Sequence, residues 1–241
     1  LAQANKFFAL PTDTTNKYIA QDHLAYGNIL ANSGEREEAL EQIYKAVDLD
    51  PTQVNTLLEM SKTYASNKMY VEAGLLMKKY IEKADSSKID ATNYFQMGQN
   101  FLSAGEIATR DTSNVANAAL VKTYVKEADE AFAKVSELVP ESYLGYYWRA
   151  RAASTLDPKL DEGLAKPYYE ATIKVLEADT ESKNDKILSI AYQYLSVYYT
   201  YKYGNTESVE DKKLALSYAE KTLSVNAGDA TAKQIIEVLN Q

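Results

Sequence analysis

Residues 20–53 read AQDHLAYGNILANSGEREEALEQIYKAVDLDPTQ, two helical patterns separated by Gly34. The first runs to Asn32; the second starts after Gly34 and stops at Pro51, whose nitrogen has no hydrogen to donate to a continuing helix. The spacing predicts a helix, a tight turn and a second helix lying back on the first. Gly27 and Ala39 are the small residues where the two helices are expected to cross most closely. A larger side chain at either would cost roughly 1–3 kcal/mol by overpacking. Shifted by about 34 residues, Gly27 falls on Ser61 and Ala39 on Ala73, so a second copy follows without a gap.

The punctuating set Gly27, Gly34, Ala39, Ile43, Ala46 and Pro51, together with its recurrence, resembles the tetratricopeptide repeat (TPR). The resemblance implies an all-α fold, a right-handed α-solenoid of helix-turn-helix units closed by a C-terminal capping helix. Five TPR-like units are expected at 20–53, 54–87, 91–142, 143–180 and 187–228, with the cap at 229–241. Residues 1–14, with Phe7, Phe8 and Pro11, are similar to the tail of a repeat's second helix and are expected to be a truncated half-repeat from a larger array.

The copies drift along the chain. The first helix of unit one is expected from about Thr15 or Asn16. Unit two keeps Tyr64 and Ala73, but it turns at Asn67-Lys68 without glycine; Asn67 is expected to supply the left-handed conformation. In unit three, Tyr94, Gly98, Phe101 and Gly105 match a first helix and Ala128, Phe132, Val135 and Pro140 a second. The segment between them, EIATRDTSNVANAALVKTYVKE, is too long for a turn. Val121, Tyr124, Val125, Ala128, Phe132 and Val135 form one stripe at helical spacing, so the second helix is extended back to about Ser113 and overhangs its neighbours. Asp111, Thr112 or Ser113 is expected to cap it. Unit four pairs YLGYYWRARAAST, with Ala150 in the small position, with a helix carrying Ala165, Tyr169 and Ile173 and holding Pro167 in its first turn. In unit five, Tyr192, Leu195, Ser196 and Tyr199 repeat the pattern, Tyr203-Gly204-Asn205 closes the helix, and Ser208 and Asp211 form a capping box before Ala215, Ala219 and Leu223. The last helix is capped at Asp229 and apolar along Ala232, Ile235, Ile236 and Leu239.

Bulk properties narrow the function. The formal charge of −8 argues against a nucleic-acid partner. No cysteine is present, which removes disulfides, thiolate nucleophiles and cysteine-based zinc sites. No apolar run reaches the length of a membrane span, so direct insertion is not expected. The single histidine, His23, has no metal-binding company and is assigned a packing or surface role. Glu35, Glu37, Glu38 and Glu41 spread around an exposed helical face rather than forming a catalytic cluster. No nucleophile and base pair, phosphate-cradling loop or HExxH spacing occurs, so no catalytic residue, cofactor or metal is assigned and the chain is expected not to be an enzyme.

In the TPR family the first helix of each repeat lines a concave groove that binds an extended peptide or a partner's helix. The resemblance places peptide-groove residues at Asn28, Lys62, Gln96, Gln99, Tyr147, Trp148, Arg151, Tyr194 and Tyr201, with Leu24, Asn55, Glu59, Phe95 and Val197 also at groove positions. One TPR subclass clamps a C-terminal carboxylate; at the corresponding positions stand Leu24, Asn28, Glu59, Thr92 and Gln96, of which Asn28 alone agrees, and Glu59 would repel a carboxylate. The expected function is therefore a protein interaction scaffold whose aromatic end, with Tyr147, Trp148, Arg151 and Tyr194, carries hot-spot residue types. Three further expectations attach to it. Inter-helix packing competes for those aromatics, a glycan or small ligand is the alternative occupant, and the long helix near 113–137 is a candidate homodimer contact. Tyrosine richness and loosened repeats resemble exported multi-repeat bacterial proteins, which implies the periplasm or cell envelope.

Overall fold

The computed structural model describes residues 1–10, 17–110, 115–179 and 184–241, which form twelve α-helices and, among the described residues, no strand. They run α1 (Ala2–Phe8), α2 (Ala20–Asn32), α3 (Arg36–Leu49), α4 (Val54–Ser66), α5 (Tyr70–Lys83), α6 (Ala91–Ala108), α7 (Val115–Leu138), α8 (Tyr143–Leu156), α9 (Lys166–Ala178), α10 (Asp185–Thr206), α11 (Val209–Val225) and α12 (Ala230–Leu239). The all-α repeat architecture read from the sequence is the one observed. Among the described residues no helix is long and apolar enough to cross a membrane. The chain divides into two compact units, residues 1–100 and 101–241.

In the first unit α2 packs on α3 and α4 on α5. A Cβ added to Gly27 would lie 3.0 Å from the carbonyl oxygen of Ala39 and 2.8 Å from Cγ1 of Ile43, so the helices touch where the small residues sit. Thirty-four positions on, the Ser61 hydroxyl donates to the Ala73 carbonyl at 2.7 Å, and the same approach becomes a hydrogen bond. Ala39 and Ala73 are fully buried. Leu30, Ile43, Val47, Leu57, Leu76, Met77 and Tyr80 fill the space around them.

The turns keep the same register. The Glu35 amide donates to Leu30 O and Gly34 to Ala31 O; in the next hairpin Met69 donates to Tyr64 O and Lys68 to Ala65 O. This pattern selects the left-handed residue by position. It is Lys68 (φ 61°), at the place of Gly34 (φ 90°), and not Asn67 as expected from residue preference; Asn67 keeps φ −86°. A lysine there carries the Cβ penalty that glycine avoids. Lys68→Gly is expected to raise stability by about 1 kcal/mol in urea unfolding; an unchanged or lower midpoint would contradict the strain.

The start of α2 also differs from expectation. Residues 17–19 are not helical, and the Asp22 carboxylate accepts the Ile19 amide at 2.9 Å, which fixes the helix start at Ala20. Thr15, Asn16 and Pro11 lie outside the described residues. Phe8 stacks on Tyr26 at 4.2 Å and contacts His23 at 5.3 Å, while His23 Nδ1 bonds Gln42 at 2.7 Å, so the histidine is a packing residue.

In the second unit α7 spans Val115–Leu138 among the described residues, which do not include its expected start near Ser113. Val121, Val125, Ala128, Phe132 and Val135 are buried along it. Its expected caps at Asp111, Thr112 and Ser113 lie outside the described residues. Gly105 of α6 approaches Val125, and a Cβ there would sit 3.1 Å from Cγ2. Helices α8 to α12 then pack in succession. Ala128, Ala165 and Ala215 are fully buried, as Ala39 and Ala73 are in the first unit. Ala165 is the N-cap of α9 and Pro167 lies in its first turn, where its missing donor has no partner to lose.

Two expectations in unit five are corrected. Tyr203-Gly204-Asn205 does not end α10, which runs to Thr206 and stops at Glu207 with φ 54°. Only half of the capping box forms: Ser208 Oγ accepts the Asp211 amide at 3.3 Å, but the Asp211 carboxylate meets Thr206 and Lys202 instead of the Ser208 amide. Asp is one methylene shorter than the Glu of a full box. Asp229 caps α12 as expected, accepting the Ala232 amide at 2.9 Å, and Ala232, Ile235 and Leu239 are buried beneath the helix.

Candidate functional site

The residues expected to bind are divided between the two units. In the first unit Asn28 is exposed on α2 and Lys62 on α4, where Lys62 pairs with Glu59 one turn away at 3.0 Å. Gln96 and Gln99 on α6 join Lys62 along a shallow cleft of about 290 Å³, with Ser66 and Asn100 beside them. Asn28 does not line that cleft. Leu24 is buried, so this groove position belongs to the core.

In the second unit the helical spacing of α8 places Tyr147, Trp148 and Arg151 on adjoining surfaces, all partly exposed. Trp148 lies 5.6 Å from the Phe132 ring of α7 and 6.1 Å from Tyr147. Tyr147 contacts Tyr169 of α9 at 6.4 Å, Tyr169 contacts Tyr194 of α10 at 4.5 Å, and Tyr194 stacks with Tyr198 at 6.5 Å. One continuous aromatic run therefore crosses four helices. Packing and exposure coexist along it: Phe132 and Tyr169 are buried, while Trp148, Tyr147 and Tyr194 keep an accessible edge. Burial, with the nearby Asp157 charge next, pushes the Tyr194 hydroxyl up to about 12, so it stays protonated across the physiological range.

Arg151 lies over the Trp148 ring, with the guanidinium carbon 4.6 Å from the centroid, and donates to Glu106 of α6 at 2.7 Å. The two side chains are 35% and 42% exposed, so the pair lies at a wet edge. The cation expected from the sequence is present but already holds a carboxylate. Arg149, two residues earlier and so on the opposite side of α8, is bidentate to Asp129 at 2.8 and 3.0 Å and also donates to the Tyr168 hydroxyl, which ties α7, α8 and α9 together.

Tyr201 projects from α10 and donates to Asp161 in the loop after α8. That loop is organised by Asp157, which is buried and accepts the amides of Gly163 at 2.7 Å, Leu164 at 3.2 Å and Glu162 at 3.4 Å. Gly163 has φ 66° and the Tyr198 ring lies against it, so a Cβ there would fall 2.6 Å from Cε2 of the ring. Asp157, Glu106 and Phe132 were not read as site residues. The Asp-Pro and Glu-Gly pairs of LDPKLDEG signal a turn, but nothing local tells which of its carboxylates is buried. Among the described residues, no group of three or more His, Asp and Glu side chains could hold a metal ion.

No family model and no curated protein matches the chain. Solved structures do. The C-terminal part of a TPR repeat-containing protein from Cytophaga hutchinsonii is 26% identical, with a TM-score of 0.60 over 98% of this chain and 79% of that one. YrrB, described as a TPR protein with an unusual peptide-binding site, is 17% identical, with a TM-score of 0.51 over 90% of this chain and 92% of its own.

Proposed function

The chain is a tetratricopeptide repeat protein by fold, and from that premise we propose that it is a non-enzymatic scaffold that holds a peptide segment of another protein. The site is the aromatic run of the second unit, with Tyr147, Trp148 and Arg151 on α8 and Tyr194 and Tyr201 on α10 as its contact residues. The observation that carries this reading is the Arg151 guanidinium 4.6 Å above the Trp148 ring, with the partly exposed Tyr147 beside that ring and Tyr194 joined to Tyr147 through Tyr169. Trp, Tyr and Arg are the residues in which binding energy concentrates, because each combines a large apolar contact with a directed donor. Held rotamers add to it. Trp148 against Phe132 and Arg151 against Glu106 lose little freedom when a partner arrives. A peptide fits better than a glycan, since sugar stacking needs an open ring face and that of Trp148 is shared with a guanidinium. The polar cleft at Lys62, Gln96 and Gln99 offers donors and acceptors suited to peptide backbone and is proposed as a separate contact of the first unit.

Trp148→Ala combined with Arg151→Ala is expected to lower capture of native partners at least about ten-fold, the loss of one strong hot spot. Trp148 is the single tryptophan, so its emission in the unmodified protein reports the same event directly. Undiminished capture by a double variant of unchanged helicity would place binding elsewhere.

A further inference from the structure

A second surface of the same unit has a different chemistry. The C-terminal ends of α6 and α8 and the first turns of α7 enclose a cleft of about 590 Å³. Its walls are Ala108, Ala118, Val121, Leu156 and Pro158. Beside these wall residues in sequence, Ile107 and Leu120 are large apolar side chains left 45% and 41% exposed, and Leu156 itself is 40% exposed. The volume matches a few apolar side chains of an incoming segment.

Hydrogen bonding decides the form of that segment. The two hydroxyls in the lining are already committed: Thr109 donates to Glu106 O at 2.7 Å and Thr155 to Arg151 O at 3.1 Å. An extended strand entering here would leave its amides and carbonyls without partners, at a cost of about 1–3 kcal/mol for each one buried. A helix satisfies its own backbone and presents side chains alone.

Charge decides its flank. Glu106, the acidic residue of the lining, is held by Arg151 at 2.7 Å. Lys122, the basic one, has Ala118, Ala119, Val125 and Lys126 at the positions one turn away on α7, none of them acidic. Arg110 and Lys159 directly follow the lining residues Thr109 and Pro158 and are exposed. In a chain of net charge −8, Lys122 in the lining, with Arg110 and Lys159 next to lining residues in sequence and Glu106 already paired, makes the surroundings of the cleft basic.

We infer that the cleft between the ends of α6, α7 and α8 docks an amphipathic helix of a partner protein whose apolar stripe is flanked by acidic residues. The cleft adjoins the aromatic run through the Arg151–Glu106 pair but shares none of the contact residues proposed there, and the inference stands independently of that function.

The probes are a labelled helical peptide with leucines at i, i+3, i+4 and i+7 flanked by glutamates, and the same peptide with every glutamate replaced by lysine. Fluorescence anisotropy against the full chain is expected to show binding of the acidic peptide only. Lys122→Glu and Ala118→Glu, both at exposed helical positions, are each expected to weaken it about five-fold or more. Trp148→Ala is expected to leave it unchanged. Equal binding of both peptides, binding of neither, or a loss caused by Trp148→Ala and not by Lys122→Glu would overturn the assignment. Self-association that Ala118→Glu abolishes without peptide would give the cleft to a second copy and overturn it equally.

Discussion

Gly145→Ala is expected to destabilise the protein by about 2 kcal/mol, and Gly145→Val by more than about 3 kcal/mol. Replacing a glycine inside a helix by alanine ordinarily gains up to about 1 kcal/mol, so the sign depends on the space around it. At Gly145 there is none. A Cβ would lie 2.6 Å from the Ser136 amide nitrogen, 3.0 Å from the Phe132 carbonyl oxygen and 2.3 Å from the Ser136 hydroxyl. Two of these atoms are backbone of α7, so relief requires moving one helix against the other, and the buried Phe132 and Val135 would lose contacts with it. Gly204 is the internal control. It lies within α10 with no atom within 4 Å of an added Cβ, and Gly204→Ala is expected to stabilise by about 0.5–1 kcal/mol. Urea unfolding of the two alanine variants tests the pair; midpoints that shift in the same direction would mean that α7 and α8 are not in backbone contact.

Removal of Asp157 is expected to have the second large effect. Its carboxylate stands just past the C-terminus of α8, where the helix dipole disfavours negative charge, and it is nevertheless buried. The three amides of Glu162, Gly163 and Leu164 offset that cost. A hydrogen bond to a charged acceptor contributes about 1.5–3 kcal/mol, and the two longer ones contribute less. Deducting the roughly 0.5–1 kcal/mol of dipole repulsion relieved by the change leaves about 2–3 kcal/mol for Asp157→Ala. Asp157→Asn restores little, because the amide keeps one acceptor oxygen and turns N–H groups toward N–H groups. The consequence extends to the aromatic run, since the loop supplies Gly163 beneath the Tyr198 ring and Asp161 to the Tyr201 hydroxyl. Faster hydrogen exchange at the Gly163 amide in Asp157→Ala would follow; a variant within about 0.5 kcal/mol of the parent, with that amide still protected, would remove the loop's anchoring role.

The two cases differ in how far they were legible beforehand. Ala39, Ala73, Ala128, Ala165 and Ala215 announced the inter-helix contacts, and all five are fully buried. The stripe from Val121 to Val135 announced the long α7, and Val121, Val125, Ala128, Phe132 and Val135 are buried along it. Gly145 was read past, because its contact joins α8 to the helix before it, and no residue beside it in sequence records how closely successive hairpins approach. Among the contact residues, Tyr147, Trp148 and Arg151 stand out by type and spacing on one helix. What Arg151 does depends on Glu106, 45 positions earlier, and Tyr201 depends on Asp161, 40 positions earlier.

The amino-acid order by itself determined the hairpin and its period, because turn hydrogen bonds and the crossing of paired helices are local events. The left-handed position recurs from Gly34 to Lys68 and the crossing from Gly27 to Ser61, each 34 residues on. The tertiary structure alone decided which exposed side chains share a surface, which carboxylate neutralises which cation and where an apolar cleft stays open. These depend on the angle and offset at which one hairpin meets the next. Many weak side-chain contacts set that geometry together, and no single residue encodes it.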